Sequence, residues 1–111
     1  MVISIPLTAK KRFDCVAIQG DPEFVSWRRR RGPVQLGPGT SPLKRLMAGE
    51  SIVHVSDALQ DPGYQTNPRF RELVDASGIR STVAVALRKE QTLVGAIIVY
   101  ASRVSEELWR N

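Results

Sequence analysis

His54 and Asp57 stand three residues apart, and a neutral imidazole beside a carboxylate offers a hydrogen-bond donor and acceptor within one short turn. A purely local arrangement uses the same pair without a ligand: Asp57 caps the Ala58-Leu59 turn and orients His54. The run Arg28 to Arg31 is a second concentration of chemistry, since four guanidiniums gather positive potential that phosphates would answer. Only Trp27 accompanies it, so the stacking platforms of single-strand binders are missing. A solvated helix end accounts for the run more simply, and nucleic acid is not expected as a partner. One cysteine, Cys15, and one histidine form neither an internal disulfide nor a zinc cluster. Cys15 reads as a small buried strand residue. Gly37 to Ser41, GPGTS, lacks the lysine of a phosphate loop and runs into a proline-started helix, so it reads as a turn. No nucleophile elbow or carboxylate pair stands out. No catalytic residue, metal or cofactor is therefore expected.

The chain that must position these groups has 111 residues, 42% hydrophobic and 24% charged, which suits one small globular domain with little margin in its core. Its net charge of +5 is uneven: residues 1–45 carry nine basic and three acidic side chains, the remainder seven and eight. The basicity thus describes a local surface. The longest strongly apolar run, Leu93 to Ala101, is too short for a membrane span, which needs about twenty residues. The N-terminus has its charge after its apolar stretch, the wrong order for a secretory signal, so a cytoplasmic location is expected.

Three segments share one helix-start grammar, a capping side chain followed by a first-turn proline. Asp21-Pro22 opens a helix that presents Phe24 and Trp27 and stops at Gly32-Pro33. Ser41-Pro42 opens a short helix with Leu43, Leu46 and Met47 on one face and Gly49 at its end. Asn67-Pro68 opens a third, with Phe70, Leu73 and Val74 buried and Gly78 closing it. Residues 11–20 read as a strand, Val34 to Leu36 as a short one, and Ser51 to Val55 as a strand leading into a loop over Ser56 to Gln65. Val2 to Leu7 is an edge strand or an extended arm, because Pro6 removes a ladder donor. Thr82 to Arg88 and Gln91 to Tyr100 form an antiparallel hairpin. In the first of these, Val83, Val85 and Leu87 make a bulky face, while Ala84 and Ala86 leave room for a close helix or a ligand. The second is apolar on both faces, as in a central strand covered on both sides.

From about Phe13 to Val104, the order of elements and the segments QGDPEFVSW, GPGTSPLKRLMAGESIVHVSDALQDPGY and GIRSTVAVALRKEQTLVGAIIVYAS resemble a GAF domain of the kind found in bacterial histidine kinases and nucleotide cyclases. The resemblance implies an α+β fold, GAF/PAS-like, with an antiparallel sheet of about five strands, short helices on one face and a small-molecule pocket beneath them. The body is expected over residues 11–104, with an arm or edge strand at 1–10 and a tail or helix start at 105–111, where Ser105 caps about one turn. The terminal helices that cover the other sheet face in such domains have no counterpart here. That face is accordingly expected to be uncovered, and the chain to be shortened relative to the family. Ala86 stands where such domains often carry proline.

The implied function is non-enzymatic: a sensory domain that binds an unidentified small molecule or a partner and signals to a kinase or cyclase. A protein-interaction or dimerisation module, whose uncovered face docks on a partner or on a second copy, is the alternative, and a shortened remnant without activity a further one. The resemblance places His54 and Asp57 at the pocket rim, Tyr64 as a lid, and Arg80 and Thr82 at the helix-to-strand junction, where Arg80 would meet an anionic ligand. Each has a plainer role beside it. Tyr64 packs as a loop aromatic, Arg80 bridges to Asp57, Asp61 or Glu72, and Thr82 is an ordinary strand residue. Neither the cysteine of bilin-binding relatives, nor the signature of cyclic-nucleotide binders, nor the cysteines of the methionine-sulfoxide-reducing branch is present.

Overall fold

Each cap-and-proline start forms the helix it encodes. The computed structural model describes residues 2–6, 17–32, 34 and 38–103, with Val2–Pro6 and Ala17 described by their backbone. Residues 11–16 with Cys15, Gln35 and Leu36 of the proposed short strand, and the Ser105 turn lie outside the described residues. Asp21 Oδ2 accepts from the Phe24 N–H at 3.4 Å to start α1 (Pro22–Arg30). Ser41 Oγ accepts from the Lys44 N–H at 3.3 Å ahead of α2 (Pro42–Met47). The segment expected as a loop holds a 3-10 turn at Ala58–Gln60, capped by Asp57, and α3 (Pro62–Thr66), capped by Asp61. Asn67 Oδ1 then accepts from the N–H groups of both Arg69 and Phe70, at 3.0 and 3.2 Å, to start α4 (Pro68–Ser77). Gly78, at φ 73°, ends it in the left-handed conformation that only glycine adopts without strain.

The strands are β1 (Val2–Pro6), β2 (Ala17–Gln19), β3 (Ile52–Val55), β4 (Ser81–Lys89) and β5 (Thr92–Ala101). Among the described residues they pair antiparallel in the order β2-β1-β5-β4-β3. The α+β class and the antiparallel sheet with short helices agree with expectation. The position of β1 does not, since it runs inside the sheet between β2 and β5. Pro6 stands at the end of the strand, opposite Gly95 of β5.

Alternation sorts the sheet into two faces. Val53, Val55, Thr82, Ala84, Ala96, Ile98 and Tyr100 are buried, in one core with Phe24, Leu43, Leu46, Phe70 and Val74 of the helices. The thin face at Ala84 is filled by a helix, with α2 lying across β3 and β4. On the other face Ile52, Val85, Leu87, Ile97 and Val99 are exposed, so the outer half of β5 lacks the cover its composition predicts. A bulge between Leu87 and Arg88 leaves Val94 without a partner on β4 and turns Leu93 toward the core. Arg88 then donates to the carbonyl oxygens of Leu46 and Glu50, at 2.9 and 3.1 Å, satisfying groups at and beyond the end of α2.

Candidate functional site

Asp57, Arg80, Tyr64 and Thr82 all make side-chain hydrogen bonds within the fold. Asp57 Oδ1 accepts from the Leu59 N–H at 3.1 Å, which is its capping role. Its two oxygens also receive Arg80, from Nε at 3.2 Å and Nη2 at 3.1 Å, a fork-on-carboxylate pair that joins the 3-10 turn to the start of β4. Tyr64 on α3 donates its hydroxyl to Asp75 Oδ1 of α4 at 2.7 Å, and Arg71 lies over its ring at 5.5 Å. Thr82 is 2% exposed and donates to the Val99 carbonyl oxygen at 3.0 Å. His54 is exposed on β3, opposite Val83, on the face turned away from the helices. The structure therefore joins Asp57 to Arg80, while Tyr64 bonds to Asp75 and Thr82 to Val99. Among the described residues no group of histidine, cysteine and carboxylate side chains could hold a metal ion.

The hydrogen bond from Arg80 holds the Asp57 carboxyl below its ordinary 3.8, against a smaller upward effect of burial. A carboxylate depressed in the folded state contributes stability that is complete above the unfolded value and drains as the pH falls through the folded one. Asp57→Asn keeps the cap and removes the charge. We expect it to lower the unfolding free energy by less than about 1 kcal/mol at neutral pH, as for half-exposed pairs. Urea titrations of variant and wild type should converge once the pH drops below 3.8 and through that depressed value. A gap that persists in acid would show that the charge is not what matters.

A cavity of about 210 Å³ lies elsewhere, between the inner face of the sheet and the helices above it. Ile98 and Tyr100 of β5 contribute to it from the sheet, Ser41, Pro42 and Leu43 from the start of α2, and Asn67, Arg69, Phe70 and Leu73 from α4. The last turn of α1 and the residues just beyond its end contribute Trp27, Arg28, Arg31 and Val34. None of His54, Asp57, Tyr64, Arg80 or Thr82 lines it. The arginine run set aside as a solvated helix end supplies two of its walls instead. Arg31 lies over the Trp27 ring at 4.9 Å and forks onto Glu72 of α4, at 2.5 and 3.2 Å. Arg69 reaches the same carboxylate at 3.8 Å. Arg31, the largest influence on it, holds the Glu72 carboxyl below its ordinary value. Phe24, Arg28 and Arg31 fall at i, i+4 and i+7, a helical face that could have marked these arginines as inward.

This arrangement, a cavity between a central antiparallel sheet and a cover of short helices, can be compared with known proteins. The crystal structure of a domain from a protein assigned as a two-component sensor histidine kinase of Sinorhizobium meliloti 1021 aligns with a TM-score of 0.64 at 14% identity. The alignment covers 93% of this chain and 60% of that one, so the chain spans less than two thirds of that structure's length, and the likeness speaks to the fold. No curated protein matches the chain. The family model described as GAF domain matches residues 6–110, nearly the whole sequence, and by that match the chain belongs to the GAF domain family.

Proposed function

We propose that this GAF domain, a sensory signalling module, binds a small molecule in the cavity under α1, α2 and α4 and passes the change to a kinase or cyclase output without catalysing a reaction itself. The observation that carries the reading is the cavity's construction: one wall is the rigid sheet, and the others belong to three separate helices. A ligand touching all of them favours the arrangement in which they close on it, and only that difference in affinity can shift the module between states. Asp57, Tyr64 and Arg80 enter this reading as braces of the cover. The working place is the cytoplasm, and among the described residues no helix is long and apolar enough to cross a membrane.

Leu73→Trp tests the reading by filling the cavity from α4. Ring-sized fragments that shift the amide resonances of Trp27, Leu73 and Tyr100 in the wild type should lose their effect in the variant while its circular dichroism is unchanged. Fragments that bind both proteins equally would place the site elsewhere. A second reading rests on the row Ile52, Val85, Leu87, Ile97 and Val99, an exposed apolar face that a second copy of the chain would cover. Light scattering across a concentration series checks it: a dimer supports the reading, and a monomer at every concentration removes it.

A further inference from the structure

Arg28 is a buried cation with no acid paired to it among the described residues. The residue is 8% exposed, its Nη1 donates to the Gly32 carbonyl oxygen at 3.3 Å, and no ion pair among the described residues includes it. No fully buried side-chain polar atom of the described residues lacks a partner, so the nitrogens of Arg28 not bonded to Gly32 reach open space. Arg28 is also one of the residues that line the cavity. A guanidinium withdrawn from bulk water is costly unless an anion or a full set of acceptors meets it.

The surrounding charge points the same way. Arg28, Arg31 and Arg69 all line the cavity, and no acidic side chain among the described residues does. Glu72, the one carboxylate paired with any of them among the described residues, is shared between Arg31 and Arg69. The excess is positive even after Glu72 is counted, and α4 directs the positive end of its dipole to the same side. The remaining walls are apolar, with Leu43, Phe70, Leu73 and Ile98 beside the arginines. An apolar cavity of about 150 Å³ is enough to take up benzene. The 210 Å³ here therefore fits one ring and a small charged group.

Resting on the reading of this cavity as the ligand site, we propose that its ligand is a small organic carboxylate, with a ring-sized apolar body against Leu43, Phe70, Leu73 and Ile98 and its carboxylate forked onto Arg28. Planar bidentate pairing is what distinguishes a guanidinium from a point charge, and it fixes the ligand's orientation as well as its sign.

Benzoate and benzyl alcohol, one ring with and without the charge, separate the possibilities on the wild-type protein by nitrogen-proton correlation spectra. Benzoate is expected to bind at least about tenfold more tightly, the ratio that one charge-assisted contact supplies. Shifts should centre on Trp27, Arg28 and Leu73, and Arg28→Met should bring the two probes to the same affinity. If the two probes bind equally at the cavity, the ligand site stands and the carboxylate inference falls. If neither moves the cavity amides, both fall. Inorganic phosphate displacing benzoate at equal concentration would overturn the apolar body and leave a bare oxyanion site. Because the first comparison uses unaltered protein, a failure of Arg28→Met to fold does not protect the proposal.

Discussion

Gly39→Ala is expected to lower the unfolding free energy by about 3 kcal/mol, toward the upper end of what point substitutions do. Two independent effects combine at this position. Gly39 has φ of 81°, where a side chain strains the backbone, and a Cβ built on it would stand 2.2 Å from the Thr66 carbonyl oxygen and 2.9 Å from the Asn67 nitrogen. Those atoms are backbone and cannot rotate away. The neighbouring Thr40 N–H is also tied to Thr66 Oγ1 at 3.3 Å, so the loop before α2 and the junction of α3 with α4 must separate together. A melting temperature lowered by more than about 10 °C is the expected reading. A change of only a few degrees would mean that this contact is looser than the structure has it. Asn67, which starts α4, and Ser41, which starts α2, both line the cavity, so Gly39 sets the spacing of two of its walls.

Leu46→Ala is expected to cost a similar amount, about 3 kcal/mol, by a different route. Leu46 has no exposed surface and belongs to α2, which lies over β3 and β4, where Ala84 is equally buried. Small side chains would then stand on both the helix and the sheet, and α2 is held down at its far end by the bonds from Arg88 to Leu46 and Glu50. The helix cannot settle to close the hole, so the loss includes the cavity as well as the transferred surface. Met47→Ala, one residue along but 48% exposed, is the matched control and should change stability little. Denaturant titration of the pair decides it: equal losses would put the core of α2 on the wrong face.

The sequence told most where local chemistry decides the outcome. Asp21-Pro22, Ser41-Pro42 and Asn67-Pro68 each carry a cap and a pre-set φ within two residues, so their helices were readable without tertiary context. Asp61-Pro62 has the same grammar and starts α3, but five residues leave no room for an apolar stripe to repeat, and the segment read as loop. The hairpin of β4 and β5 was plain from its β-branched run. Its bulge at Val94 was not, because it depends on where Lys89 and Thr92 pair across a turn with Glu90 and Gln91 at positive φ. The candidate site was the least legible part. Asp57 and Arg80 advertised themselves by type and spacing and proved to be bracing each other. Arg28 looked like one of four surface cations, and whether a helix-end arginine faces water or a cavity depends on α4, some forty positions further along the chain.

The place of β1 in the sheet sets an order of events. Val2 pairs with Val99 and Pro6 with Gly95, so β1, made well before β5, finds its main partner only when β5 has been made. Until then, among the described residues, β1 has β2 beside it, and an isolated two-stranded ribbon is at best marginally stable in water. Closure of the sheet is consequently a late, long-range step, slow by the measure of contact order. During synthesis the β1 segment is an unpaired, apolar strand, the kind of surface that chaperones hold and that neighbouring chains on one messenger can capture.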